Sequence, residues 1–500
     1  MPLGTYKYFT MRSFDVIILT DTAEYPVWTR GAGAHRLANH IRINNYTCLV
    51  IDFSSALTFD IWSEICKLSI DNNTKMLGFS TTWWPYRSVK DKQAVVNLND
   101  FGKDTEKKEY TYHQHGLTQA AVEGKLEMWI NEAKKYNSKI KTVVGGPKID
   151  FYRDIPADHF ISGFGETQII DLLNEPKRLW PRIINHDKTA SHPSFNFKCS
   201  QTLYTDHDFI KSEEVLAIEF TRGCKFKCAF CSYPLIGRKN VVEESLKHSE
   251  SLYNELMNNY QRWGITKYWV ADDTFNDSTE KLEVILKVIQ RLPFTPQFRA
   301  YTRLDVMFNN FEQVHLLKEI GLVNTWIGVD SIHPVASRII GKGMNPEKKK
   351  DLIYRIGDVW KDQVNIRVGY IVGLPGEDSS FVRETVDWFL KPDNPVNQLN
   401  LNPLRINPPL EALANTSRSD IDLNHEKYGY KIPNLSRFWE WTKDDGTDLT
   451  TFNQTAQLCF ELTEKIKKNI RISEPPTIPG IQDPKTDYFD HLIKKLSTHI

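Results

Sequence analysis

The chain has 500 residues, with 63 basic and 63 acidic side chains and a formal net charge of zero. That length predicts two or three cores. The even charge removes the electrostatic footprint of a nucleic-acid binder, and no apolar run approaches the roughly twenty residues that cross a bilayer. The start, Met1 to Arg12, lacks an apolar signal core, so the chain reads as cytoplasmic and free of membrane partners. Three of the seven cysteines fall between 224 and 231, which points to a reducing compartment and a metal site rather than a disulfide framework.

From residue 14 short apolar runs alternate with helical stretches, the pattern of parallel strands joined by crossover helices. A first series places strands near Phe14–Leu19, Cys48–Phe53, Met76–Ser80, Thr142–Val144 and His159–Ser162, with helices near Ala34–Ile43, Asp60–Ile70 and Gln119–Tyr136. These predict a doubly wound sheet over 1–170. A long polar insertion, 81–117, carries Trp83, Trp84, Tyr110, Tyr112, His113 and His115, and 171–212 reads as a linker. A second series runs through Val215–Phe220, Lys267–Val270, Gln297–Tyr301, Thr325–Val329, Ile366–Val372 and Gln398–Leu401. Helix-like stretches follow, among them Glu243–Tyr260, Glu280–Leu292, Phe311–Ile320 and Asp378–Leu390. Six such units predict a partial (β/α)6 barrel of the TIM type over 213–407, with its site at the carboxyl ends of the strands. A mainly helical extension, 408–500, includes an amphipathic helix at Leu449–Ile470 and a proline-rich turn at Glu474–Pro479.

Directly after the first barrel strand comes Glu219-Phe-Thr-Arg-Gly-Cys224-Lys-Phe-Lys-Cys228-Ala-Phe-Cys231. Three thiolates hold three irons of a cubane cluster whose usual complement is four cysteines, leaving one iron open to a cofactor or substrate. Arg222, Lys225 and Lys227 are expected to favour thiolate over thiol. The alternative is a structural zinc knuckle, which asks for a fourth Cys or His nearby. His207 and His248 are both poorly placed for that role.

The spacing, Phe230 before the last cysteine and the strand–loop position resemble the radical S-adenosylmethionine superfamily. The resemblance implies that Cys224, Cys228 and Cys231 ligate a 4Fe-4S cluster. Its open iron would bind S-adenosylmethionine, and the reduced cluster would cleave it to a 5'-deoxyadenosyl radical, with the backbone at Phe230 near adenine. It also implies an electron donor such as flavodoxin or ferredoxin, and a small-molecule or peptide substrate that the sequence does not identify.

Later strand ends agree with this resemblance. Asp272 and Asp273, after the second barrel strand, are candidates for the methionyl ammonium, or else helix-capping acids. Gly328-Val-Asp330-Ser331 resembles the family's Gly-x-Glu-Ser ribose segment with Asp in place of Glu, and Ile339-Ile-Gly-Lys-Gly343 also matches the family pattern. Gly369-Tyr-Ile371-Val-Gly373 resembles the stretch beside adenine, where glycine in a strand suggests close approach of a ligand or backbone; Pro375-Gly376 reads equally as a turn. Arg299, Arg303 and Arg405 are candidates to steer a carboxylate or phosphate.

In the first series, Gly31-Ala-Gly33-Ala-His35, Asp52, Val144-Gly145-Gly146-Pro147 and Gly163-Phe-Gly165-Glu166 follow successive strands. This order resembles the cobalamin-binding-type domain of one branch of the superfamily, in which Gly145 and Gly146 would let a corrin lie against the sheet edge. The glycines serve tight turns equally well, and no Asp-x-His-x-x-Gly signature follows Leu19. Some members keep this domain without binding corrin. With corrin, methyl transfer to an unactivated carbon is expected. Rival expectations are a non-catalytic iron–sulfur sensor or scaffold, and a methylthiotransferase acting on RNA or protein. The latter carries a second cluster on an amino-terminal domain with three cysteines, whereas only Cys48 and Cys66 precede the linker here and read as core residues.

Overall fold

The computed structural model describes residues 13–21, 29–82, 125–146, 149, 155–185, 191–192, 195–233, 237–406, 419–433, 439–469 and 487–498. Much of the 81–117 insertion and the Glu474–Pro479 turn lie outside these residues.

Two six-stranded parallel sheets form the protein. The first contains β1 (Val16–Leu19), β2 (Cys48–Ile51), β3 (Met76–Ser80), β4 (Lys141–Gly145), β5 (His159–Ser162) and β6 (Ile183–Asn185), in the order β2-β1-β3-β4-β5-β6. Helices α1 (Ala32–Ile43), α2 (Phe59–Ser69), α3 (Lys125–Tyr136) and α4 (Glu166–Asn174) flank it. Strands buried on both faces need apolar residues at every position, and VIIL and CLVI in β1 and β2 are fully buried. The segment expected only to link the sheets therefore supplies a sixth strand, because Ile183 and Ile184 pair with Phe160 and Ile161. A small hairpin, β7 (Ser191–His192) with β8 (Phe195–Asn196), follows.

The second sheet is an open barrel of β9 (Val215–Ile218), β10 (Lys267–Val270), β11 (Gln297–Arg303), β12 (Leu322–Asp330), β13 (Asn365–Val372) and β14 (Gln398–Pro403). All six are parallel and paired in sequence order, with β9 and β14 at the edges. The stretch expected as one helix over Glu243–Tyr260 is two, α5 (Val241–Ser245) and α6 (Ser249–Trp263), separated where the backbone N–H of Lys247 donates to Phe220. The outer layer continues with α7 (Thr279–Ile289), α8 (Leu304–Asn309), α9 (Glu312–Ile320), α10 (Pro334–Ile339), α11 (Pro346–Trp360) and α12 (Ser379–Phe389). Ser278 caps α7 and Asp378 caps α12, each accepting from a backbone N–H three residues on.

The carboxyl-terminal extension does not fold as one unit. After α13 (Asp420–Leu423) and a short hairpin, β15 (Tyr430–Lys431) with β16 (Glu440–Trp441), α14 (Phe452–Lys467) packs on the barrel through Leu458, Cys459 and Leu462. The last helix, α15 (Tyr488–Ser497), instead joins the core of the first sheet through Tyr488, Phe489, Leu492 and Leu496. Arg30 fixes that arrangement from a fully buried position. It binds Asp52 and Glu214, donates to the backbone oxygens of Asp208 and Phe209, and lies over the rings of Phe53 and Tyr488. Among the described residues no helix is long and apolar enough to cross a membrane.

Candidate functional site at the mouth of the barrel

The cysteine loop leaves β9 under tight control. Phe220 and Thr221 donate their backbone N–H groups to the carboxylate of Asp272 at 2.7 and 3.1 Å, and the Thr221 hydroxyl donates at 2.8 Å. Lys281 pairs with the same buried carboxylate at 2.6 Å. Gly223, at φ 101°, then turns the chain into a conformation that side chains disfavour. Backbone bonds anchor the loop on both sides: Ala229 donates to Ile340 and accepts from Ile421, and Cys231 donates to Cys228.

Cys224 and Cys228 are buried and Cys231 is half-buried. Their mutual geometry bears on the zinc alternative. Thiolates on one tetrahedral zinc lie about 3.7 Å apart. Yet among the described residues the three sulfurs are not gathered within 4.8 Å of one another; only His35, Asp52 and Asp208 bring three metal-type ligand atoms that close. At least one sulfur–sulfur pair is therefore wider than 4.8 Å, while Cys228 and Cys224 both add to the raised pKa of Cys231, so the three sulfurs line one space. His207 sits against Phe14 and His248 precedes α6, so neither supplies a fourth ligand.

The cations differ from expectation. Burial pushes the Cys231 thiol up to about 12, with the neighbouring sulfurs and Asp273 adding to the effect, and burial also raises Cys224. Arg222 is neutralised by Glu166 at 2.8 Å and Glu219 at 3.4 Å, while Lys225 and Lys227 stand exposed. The cation at the sulfurs is Arg303, whose Nη1 donates to Cys228 Sγ at 2.8 Å. Its other nitrogens grip Asp305 at 3.0 and 2.7 Å, and its plane lies 3.8 Å from the Phe226 ring centroid. On the opposite side of the loop the Thr274 hydroxyl stands 3.3 Å from Cys224 Sγ.

The remaining candidates separate into open and internally engaged groups. Asp272 is engaged, because its oxygens serve the start of the loop and Lys281. Asp273 is the more open acid; burial, with the charges of Glu219 and Asp272, raises its pKa to about 7. Asp330, at φ 58°, pairs with Lys342, which also donates to Gly328 O at 2.8 Å, so the two matching segments meet in space. Ser331 is fully buried: its hydroxyl donates to Glu377 at 3.2 Å and accepts from the His333 N–H. Phe230 and Ile371 pack against one apolar cluster beside the loop. Gly369 is small for the indole of Trp326, since a Cβ there would lie 2.7 Å from its Nε1. Gly373, at φ 85°, makes room for Thr455 and Trp439 of the carboxyl-terminal extension. Side chains pack closely against both glycines. Arg405 is exposed.

The first sheet meets this loop through charge. Glu166 accepts from Arg36 at 3.3 Å as well as from Arg222; against the penalty of burial, the two guanidiniums hold it down at about 2. Phe164 lies beneath Arg222, 4.0 Å from ring centroid to guanidinium. The Gly163-Phe-Gly165-Glu166 turn therefore serves the contact between the sheets. Gly145 is open, since a Cβ added there would meet nothing nearer than Ile161 at 3.9 Å, whereas a Cβ on Gly146 (φ 103°) would meet Thr81 at 2.8 Å. His35 is buried against Asp52, just beyond β2, and against the ring of Tyr204.

Two parallel α/β sheets, the second an open barrel with a three-cysteine loop at its mouth, define the class. Residues 218–389 match the family model of the radical SAM superfamily. The chain therefore carries a radical SAM domain over these residues. It is 26% identical over 293 residues to an uncharacterized methyltransferase of Pyrococcus horikoshii, covering 52% of this chain and 60% of that protein. It is 28% identical over 117 residues to the hopanoid C-3 methylase of Methylococcus capsulatus, covering 23% and 21%. The chain thus spans well under two thirds of these relatives' lengths. The fold is that of the radical S-adenosylmethionine methyltransferase TsrM from Kitasatospora setae, solved with cobalamin and a [4Fe-4S] cluster, at a TM-score of 0.63 and 14% identity over 97% of this chain and 100% of that one.

Proposed function

We propose that this chain is a radical SAM enzyme in which Cys224, Cys228 and Cys231 hold a [4Fe-4S] cluster with one iron left for S-adenosylmethionine. The observation that carries the reading is the set of three sulfurs on one loop pinned by backbone bonds, with the Arg303 guanidinium on one of them. When bound, the cluster supplies the electron for reductive cleavage of S-adenosylmethionine, and a corrin supplies a carrier for its methyl group. The residues do the holding. Phe230 and Ile371 offer an apolar face for adenine, Asp330 a carboxylate for ribose hydroxyls, and Asp273 an acid for the methionyl ammonium. Arg303 offsets thiolate charge at Cys228.

A corrin at the carboxyl edge of the first sheet is supported by the uncrowded backbone at Gly145 and by the likeness to TsrM, while His35 is held by Asp52. Methylation of a small-molecule substrate is the outcome this arrangement favours. The test is anaerobic reconstitution with iron, sulfide and hydroxocobalamin. Wild type is expected to take up about four irons per chain and to form 5'-deoxyadenosine or S-adenosylhomocysteine with dithionite and S-adenosylmethionine. A Cys228→Ala chain with undiminished iron and turnover, or zinc in the purified protein, overturns the cluster assignment. A corrin spectrum that fails to co-elute with the chain overturns the methyl-transfer part alone.

A further inference from the structure

Below the cysteine loop, the barrel interior holds a cation that the loop does not use. Side chains of β11 alternate, Phe298, Ala300 and Thr302 lying buried outward while Arg299, Tyr301 and Arg303 turn to the inside. Arg299 stands beside Trp269 of β10 and Asn324 of β12. One register step on, Trp326 of β12 neighbours Arg367 of β13. The rings of Trp269, Tyr301 and Trp326 form a continuous wall, with centroids 5.5 and 5.9 Å apart. Arg367 lies 5.0 Å from the centroid of Trp326 and donates to Gln398.

Tyr301 keeps 37% of its surface open although its strand is central in the sheet, so this wall borders space rather than packed core. Arg299 has no hydrogen bond or ion pair with any described residue. Burial and then the charge of Arg367 lower its pKa to about 10. A half-buried guanidinium with Trp269 and Asn324 as its cross-strand neighbours, under the charge of Arg367 and with no carboxylate partner of its own, is unfavourable for the protein alone. It suits a site where an anion completes the charge.

We infer that the barrel interior beneath the cysteine loop is a carboxylate-binding subsite, in which Arg299 and Arg367 receive an oxyanion while Trp269, Tyr301 and Trp326 cover a flat or apolar body. That this ligand is the substrate rests on the function proposed above; the anion site itself does not.

The experiment is calorimetric titration and equilibrium dialysis of the full reconstituted chain with benzoate, with its neutral counterpart benzamide and with inorganic phosphate. Benzoate is expected to bind at one saturable site at least tenfold more tightly than benzamide. Arg299→Gln should weaken benzoate tenfold or more while leaving benzamide and iron content unchanged. Phosphate binding more tightly than benzoate at an Arg299-dependent site keeps the anion site and assigns it to a phosphoryl group, overturning the carboxylate. Equal affinity for benzoate and benzamide, or no saturable binding of any probe, overturns the inference, and this comparison needs only wild type. Arg299→Met should also raise Tm, because it removes an uncompensated charge; a fall in Tm with unchanged benzoate affinity counts against the site. Benzoate binding should survive Cys228→Ala, so failure of the cluster assignment and failure of this subsite are read separately.

Discussion

Arg303 Nη1 and Cys228 Sγ meet at 2.8 Å although 75 residues separate them in the chain. A charged donor on a cluster sulfur stabilises the reduced, more negative state and so raises the reduction potential. Arg303→Gln is expected to lower the potential by several tens of millivolts, the size of one charge-assisted hydrogen bond, with iron content retained. An EPR-monitored redox titration measures it. Asp305→Asn, which loosens the fork that orients Arg303, should shift the potential less, and an unchanged potential in both variants would remove this role.

Asp272 acts as a support for the loop. Its removal leaves Lys281, fully buried, without its nearest carboxylate and frees two backbone N–H groups at Phe220 and Thr221. Asp272→Ala should therefore destabilise the barrel by roughly 3–5 kcal/mol. Asp272→Asn combined with Lys281→Met should recover part of that loss in thermal unfolding. Equal Tm for wild type and Asp272→Ala would show that the loop holds without this carboxylate.

Glu377 is buried, accepting from Tyr370 at 2.7 Å, from the Gly373 N–H at 3.0 Å and from Ser331. Burial raises its pKa from 4.5 to about 7. A carboxyl whose folded pKa is raised favours the folded state below its unfolded value, and that contribution disappears as pH rises through the folded value. Between pH 4.5 and 7 wild type should lose roughly 3 kcal/mol relative to Glu377→Gln, with no further difference above about 8. Tm of the two proteins across this range is the measurement, and parallel curves would contradict it.

Two glycines should respond oppositely to alanine. Gly373 combines φ 85° with Thr455 Cγ2 only 2.8 Å from the position a Cβ would take, so Gly373→Ala should destabilise by about 1–3 kcal/mol. Gly33, inside α1, has nothing within 4 Å of that position, and Gly33→Ala should stabilise by about 0.5–1 kcal/mol. Matching changes in Tm for both substitutions would show that the φ and packing at Gly373 are not limiting.

The sequence by itself determined what short spacing can encode. Cys224, Cys228 and Cys231 share one loop because four and three residues after a strand cannot carry them apart. The twelve strands of the two sheets include eleven that the alternation of apolar runs placed, since burial on both faces demands unbroken apolar stretches. The twelfth, Ile183–Asn185, is too short to stand out from its polar surroundings. Only the tertiary structure decided which charged groups meet. No local pattern distinguishes Arg303, which reaches Cys228, from Arg222, which Glu166 and Glu219 consume. Likewise, nothing around Ser331 or Gly373 reveals Glu377, Thr455 and Trp439, which occupy them. Ion pairs and close packing are set by side chains far apart in sequence, and their partners become identifiable only when the strands bring them together.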